Sequence, residues 1–376
     1  MLTEMLGVDG YKMNGPYIEG WIVTIFLLGW SLGGLIFGIL ADRFGRVKVL
    51  VWTISLYCLF TGFTALCHTP IEVGAMRFLT GLGIGGEWAA GAALVAEAFP
   101  DKARAPASSL LQTAAAIGPI LAALANQGLS HASWRALFLV GVAPAAIAVV
   151  ARMSLSEPEK AQIKPEKSPL KSVFGDPKLR RNALVALAIG FAGIAGAGTV
   201  TFWLPNLVQA ASQGLGAAAL AERKSFATYT MHAGTLLGVL LFPWLCEQIG
   251  RKKAFGLFFF LSPISVALAA WISQSGNYTS LLFTAPILSF FSIGLSAGYA
   301  LYFPELFPSE VRATGAGFAY NTGRILTAPV PLLTGMFIKA RGGNVGAGVV
   351  AAGLVYVVGL AAIPFAPETK GVALPD

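Results

Sequence analysis

Residues 38–46 read GILADRFGR, and residues 245–254 read LCEQIGRKKA. In both, an acid stands three residues before a Gly-Arg pair: Asp42 before Gly45 and Arg46, Glu247 before Gly250 and Arg251. Both stretches lie between long apolar runs. A second pair, AEAFPDKARA at 96–105 and PELFPSEVRA at 304–313, shares Glu97/Glu305, Phe99/Phe307, Pro100/Pro308, Arg104/Arg312 and Ala105/Ala313. The first pair is offset by 205 residues and the second by 208, so the chain carries an internal duplication running in one direction.

The composition says where the duplicated unit resides. Of 376 residues, 56% are hydrophobic and 12% charged, whereas a soluble domain carries about 25% charged residues. Apolar runs of about 20 residues, enough to cross a hydrocarbon core as a helix, recur along the chain. They are placed at 18–41, 49–67, 72–96, 106–129, 135–151, 183–209, 225–246, 254–273, 279–303, 313–338 and 345–366. The runs are continuous rather than alternating, which excludes a β-barrel. The expected fold is an all-α integral membrane protein of two parallel six-helix repeats, with eleven of twelve helices present.

The polar, proline-broken stretch SEPEKAQIKPEKSPLKSVFGDPKLRR at 156–181 is the natural joint. The expected organisation is an N-terminal bundle at 1–151, a cytoplasmic linker at 152–182 and a C-terminal bundle at 183–376. Subtracting the offset from the start of the second half places the matching start of the first before Met1. One helix is therefore expected to be missing, with MLTEMLGVDGYKMNGP read as an external loop.

Charge fixes an orientation. Eighteen Lys and Arg fall in loops on one side, eight of them between Arg152 and Arg181, against six on the other. The positive-inside rule makes the first set, with the C-terminus, cytoplasmic and the N-terminus external, in a plasma membrane. The net charge of +8 is explained by this topology, so no nucleic-acid partner is expected. Cys58, Cys67 and Cys246 have no ligand-like spacing, and none of the three histidines pairs with another residue as a metal site. No phosphate-cradling loop or nucleophile elbow occurs, so neither an enzyme, a cofactor nor a metal is expected.

GILADRFGR, RFLTGLGIGG from Arg77, EAFPDKARA, PELFPSEVRATG and the terminal PETKG at 367–371 together resemble the major facilitator superfamily of secondary transporters over the entire chain. PETKG and the Arg77 spacing look like the sugar-porter branch, whereas GGEW at 85–88 and YNTGR at 320–324 look like the metabolite, aromatic-acid and sialate proton symporters. The resemblance implies two bundles rocking about a central site. It implies a cytoplasmic gate made by Asp42, Arg43, Arg46, Glu97, Arg104, Glu247, Arg251, Glu305 and Arg312. Arg77 in the sugar-porter pattern pairs with an acid in the first helix, the one expected to be missing here. Gln112 matches a glutamine that binds sugar hydroxyls in that branch.

Charges within spans point to the cargo. A mid-membrane Arg costs on the order of 3 kcal/mol or more, so it is retained where it lines a cavity or meets a partner. Tyr320 and Asn321 stand four and three residues before Arg324, on the same helical face. A guanidinium beside an amide and a phenol can grip both oxygens of a carboxylate, although Arg324 could instead pin helices through backbone carbonyls. Glu87, within a span, is the candidate proton carrier with Arg77; a protonated carboxyl merely bonded between helices is the plainer reading. Trp88 and Trp203 read as ordinary apolar bulk. The stretch GFAGIAGAGTVTFWLP before Pro205 offers only Thr199 and Thr201 to a polyhydroxylated ligand. The expected function is therefore proton-coupled symport of a small anionic substrate by a monomer in the lipid bilayer. A sugar or polyol symporter, and a non-transporting sensor or inactive fragment, are the alternatives.

Overall fold

The computed structural model describes residues 2–128, 133–143, 150 and 168–375. The first half comprises α1 (Leu2–Phe44), α2 (Arg46–Thr64), α3 (Pro70–Ala98), α4 (Asp101–Gly128) and α5 (Trp134–Val140). The second comprises α6 (Pro169–Gly175), α7 (Pro177–Ala210), α8 (Ala217–Ile249), α9 (Arg251–Gln274), α10 (Tyr278–Ser292), α11 (Ser296–Glu305), α12 (Arg312–Thr327), α13 (Val330–Ala340), α14 (Val345–Gly353) and α15 (Val355–Ala362). Most of the linker expected at 152–182 lies outside the described residues, and α7 begins within its last part.

Eight helical stretches among the described residues are long and apolar enough to cross a membrane. The run at 135–151 lies partly outside the described residues. The run at 106–129 falls on α4, whose Ser108, Ser109, Gln112 and Thr113 are buried and dilute its hydropathy. The run at 313–338 is not one helix: α12 stops at Thr327 and α13 starts at Val330, because Pro329 and Pro331 remove two backbone donors from the ladder. A further correction concerns the N-terminus. The opening stretch read as an external loop is helical and continuous with α1. At about 1.5 Å per residue, α1 is ~65 Å long, about twice a hydrocarbon core; its apolar part is Trp21–Phe44.

The duplicated motifs form matching corners. Gly45 and Gly250 have φ of 100° and 94°, in the region that favours glycine. Each donates its N–H to the carbonyl four residues back, Ala41 at 3.1 Å and Cys246 at 3.0 Å, and the next helix starts at once. Across the seam between halves, α1 lies on α12 with no room for a side chain. A Cβ on Gly34 would run into Asn321, and one on Gly38 would come within 3.0 Å of the Ala313 carbonyl.

Candidate functional site

The arginine-rich end of the seam is closed by buried charge. Arg46, fully buried, pairs with Asp42 at 3.0 Å and with Glu97 at 3.1 Å, and donates to the Ala41 carbonyl at 3.1 Å. Arg251 repeats this in the second half, pairing with Glu247 at 2.8 Å and Glu305 at 3.0 Å and donating to the Cys246 carbonyl at 3.4 Å. Arg104 and Arg312 are also equivalent. Each Nε donates to a carbonyl eight residues back, Ala96 at 3.1 Å and Pro304 at 3.2 Å.

The bonds that cross the seam are not symmetric. Arg312 reaches Glu97 at 2.6 Å, while Arg104 stands 3.8 Å from Glu305. Ser309 donates to Glu97 at 3.0 Å, and Arg46 donates to the Ser309 carbonyl. Asp42 accepts from the N–H groups of Ala313, 3.1 Å, and Thr314, 2.7 Å, and so sits on the positive end of α12. In the other direction the position equivalent to Thr314 is Pro106, which has no N–H to give. The Glu247 side chain is 35% exposed and pairs within its own half. Arg43 is exposed at the edge.

The C-terminal stretch braces this end. Glu368 accepts from the N–H groups of Arg251, 2.9 Å, and Lys252, 3.2 Å, capping α9. Thr369 donates to Glu305, and Arg312 to the Pro375 carbonyl at 2.7 Å. Burial pushes the Glu368 carboxyl up, but N–H donors from Lys370, Arg251, Lys252 and Thr369 together hold it below the usual carboxylate range.

The middle of the seam holds Arg324. Its Nη2 donates to the Tyr320 hydroxyl at 2.8 Å, and its guanidinium carbon lies 3.9 Å from the Trp30 ring centroid and 4.8 Å from that of Tyr320. Tyr320 in turn stacks on Trp88 at 3.9 Å, with planes 15° apart. Trp30 comes from α1, Trp88 from α3 and Tyr320 from α12, so both halves clamp one cation between flat faces. Buried Nη1 of Arg324 has no partner among the described residues, nor do the indole N–H groups of Trp30 and Trp88 or the Tyr299 hydroxyl. Such orphaned donors are costly unless something accepts from them, most of all a charged one.

The remaining sequence-derived residues are dispersed. Asn321 is fully buried against Gly34, donating to the Gly317 carbonyl at 2.9 Å, with its Oδ1 unpartnered among the described residues. Gln112 bridges the halves by donating to the carbonyl of Ser296, the first residue of α11, at 3.1 Å. Glu87 is half-buried on the side of α3 that faces α2, within electrostatic range of Tyr57 and Cys58. Arg77 is not brought to Glu87. It donates to Thr64 at 3.0 Å and lies 4.8 Å from the Phe138 ring centroid. Sequence reasoning missed Trp30, and it took Trp88 for bulk; the signal for both was an aromatic one helix away from a lone arginine, legible only once the helices are placed.

The Major Facilitator Superfamily sequence model matches residues 16–331. A Haemophilus influenzae protein named for metabolite transport is 34% identical over 389 aligned positions, covering 100% of this chain and 93% of that protein. The cis,cis-muconate transport protein of Acinetobacter baylyi is 30% identical, covering 95% of this chain and 87% of the relative. The fold is similar to that of a superfamily proton:xylose symporter bound to a bromodeoxyglucose, with a TM-score of 0.75 at 17% identity over 96% of this chain and 89% of that one. The chain belongs to the Major Facilitator Superfamily and is a multi-pass membrane transporter, not an enzyme.

Proposed function

We propose that the chain moves a small organic anion across the plasma membrane together with protons, by alternating access between its two halves. The observation that carries this is Arg324: a buried guanidinium arm with no hydrogen-bond partner among the described residues, framed by π-faces from both halves. A carboxylate supplies the missing acceptors and its counter-charge. The flat walls of Trp30 and Tyr320 favour a flat, unsaturated carbon skeleton beside it. The relative that transports cis,cis-muconate, itself an organic acid anion, is consistent with that chemistry. The Gln112 amide already spends a donor on Ser296, which weighs against a hydroxyl-rich ligand.

Glu87 is the proposed proton carrier, since a carboxyl in a desolvated span can pass between neutral and charged forms as its surroundings change. The pairs at the arginine-rich end act as the gate, which by the loop-charge bias faces the cytoplasm. With Arg312–Glu97 and Asp42–α12 made, that end is shut; breaking them would open the path inward. The test is uptake by proteoliposomes of labelled unsaturated carboxylates and neutral sugars under an imposed pH gradient. Carboxylate uptake that collapses with the gradient and vanishes in Arg324→Ala is expected. Uptake of sugars in preference to acids, or an Arg324→Ala protein that still transports acids, would refute the reading.

A further inference from the structure

Away from the seam, an apolar groove of about 510 Å³ runs between the start of α7 and the end of α15. Its walls include Leu184, Ala188, Val358, Ala361 and Phe365, and Arg180 and Arg181 stand at its mouth. Leu184, Val358 and Phe365 are 53%, 43% and 59% exposed, so the groove opens outward to the surroundings of the bundle rather than into its core. In a membrane-spanning chain that environment is lipid.

The charge at the mouth has no internal explanation. The Arg180 side chain is exposed and makes no hydrogen bond or ion pair among the described residues, and the Arg181 side chain donates only to the Phe365 carbonyl at 3.3 Å. The nearby acid, Asp176, is committed to the N–H groups of Lys178 and Leu179 at 2.8 and 2.9 Å, as the N-cap of α7. Directly after the two arginines, α7 enters its apolar run. Both guanidiniums thus sit where a spanning helix leaves hydrocarbon for headgroups. A fork of donors above an apolar slot is complementary to one kind of molecule, an anion carried on a long apolar chain.

We propose that this groove binds an anionic glycerophospholipid, its phosphodiester held by Arg180 and Arg181 and one acyl chain lying along Leu184, Ala188 and Val358. The site adjoins the C-terminal brace. Arg181 bonds the Phe365 carbonyl and Lys252 that of Pro364 at 3.3 Å, immediately before the stretch whose Glu368 caps α9. A lipid seated there steadies that stretch against the gate.

The experiment is native mass spectrometry of the full chain in detergent, titrated with phosphatidylglycerol, with phosphatidylcholine of the same acyl chains, and with soluble glycerol phosphate. Phosphatidylglycerol adducts should exceed phosphatidylcholine adducts about 30-fold, as two interfacial arginines imply. The double variant Arg180→Gln/Arg181→Gln should remove that preference. Ala188→Trp should reduce adducts of both lipids with the arginines intact. Thermal unfolding identifies any misfolded variant, and the single Arg180→Gln, which removes no side-chain hydrogen bond or ion pair among the described residues, provides the fallback with a partial loss. Equal binding of the two lipids, a preference that survives loss of both arginines, or glycerol phosphate bound as well as the lipid would each overturn the proposal. None of these outcomes bears on whether Arg324 binds a carboxylate.

Discussion

Replacing Glu97 by Gln tests whether the buried charge at the arginine-rich end sets the balance between conformations. Glu97 pairs with Arg46 inside its own half and with Arg312 across the seam, and it accepts from Ser309. Arg312 is fully buried, and its other acceptors are the backbone carbonyls of Pro304, Phe307 and Pro375. Removing the carboxylate leaves a guanidinium buried without its ion partner, a change that costs about 3–5 kcal/mol. The Arg46 pair persists when the halves separate, so the differential cost lies near the lower figure. At about 1.4 kcal/mol per decade, the closed state should lose roughly two orders of magnitude in relative population. The assay is electron-electron resonance between spin labels at Phe44→Cys and Ile249→Cys, which are exposed and end matching helices in the two halves. Cys58, Cys67 and Cys246 are replaced beforehand. The parent should show one short distance, and Glu97→Gln a dominant longer one. Glu247→Gln is the control, because that carboxylate is 35% exposed and pairs within one half, so its loss should be worth less than about 1 kcal/mol. An unchanged distance distribution in Glu97→Gln, or equal shifts in the two variants, would refute the reasoning.

Trp30→Leu removes the face on which the Arg324 guanidinium lies, and loss of a cation–π contact of about 0.5–2 kcal/mol should raise the half-saturation concentration for uptake about 2- to 30-fold. Glu87→Gln should leave downhill exchange of the anion intact while abolishing accumulation against its gradient, read by counterflow and by pH-driven uptake in the same vesicles. Glu368 has its pKa held below the ordinary 4.5, so it contributes stability that is complete above the unfolded value and lost as pH falls through the depressed folded value. The unfolding temperature should therefore be flat from neutral pH to about pH 5 and decline below pH 4.5 or so, and Glu368→Gln should lose that part of the decline.

The parts of this architecture legible in the sequence are those fixed by local chemistry. Gly45 and Gly250, each followed by arginine and preceded three residues earlier by an acid, announced two equivalent helix corners. The positive φ at both is the physical reason the motif needs glycine. The partners of those arginines were not legible. Nothing in the sequence says that Arg312 crosses to Glu97 while Arg104 stays 3.8 Å from Glu305, or that Pro106 leaves Glu247 without the helix end that Asp42 finds. The apolar run at 313–338 concealed a break, because hydropathy registers that prolines are apolar and not that they lack an N–H. Arg324 and Tyr320 were readable as a pair from their spacing. Trp30 and Trp88 were not, because an aromatic facing lipid and one stacked on a cation or on the ring beside it look alike until α1, α3 and α12 are brought together. Asn321 shares the helix of Tyr320 and Arg324, yet its side chain packs against Gly34 and its amide nitrogen donates to the Gly317 carbonyl, since helical spacing defines a face only to within the width of a side chain.

The claim on which the functional account rests is that Arg324 receives a carboxylate. The most direct measurement is the affinity of the purified protein for an unsaturated organic acid and for its uncharged carboxamide, followed by indole fluorescence. A charge-assisted bond of about 1.5–3 kcal/mol predicts that the acid binds about 10- to 140-fold more tightly than the amide, and that Arg324→Gln erases the difference. Equal affinity for acid and amide, or a preference that persists without the guanidinium, would contradict it.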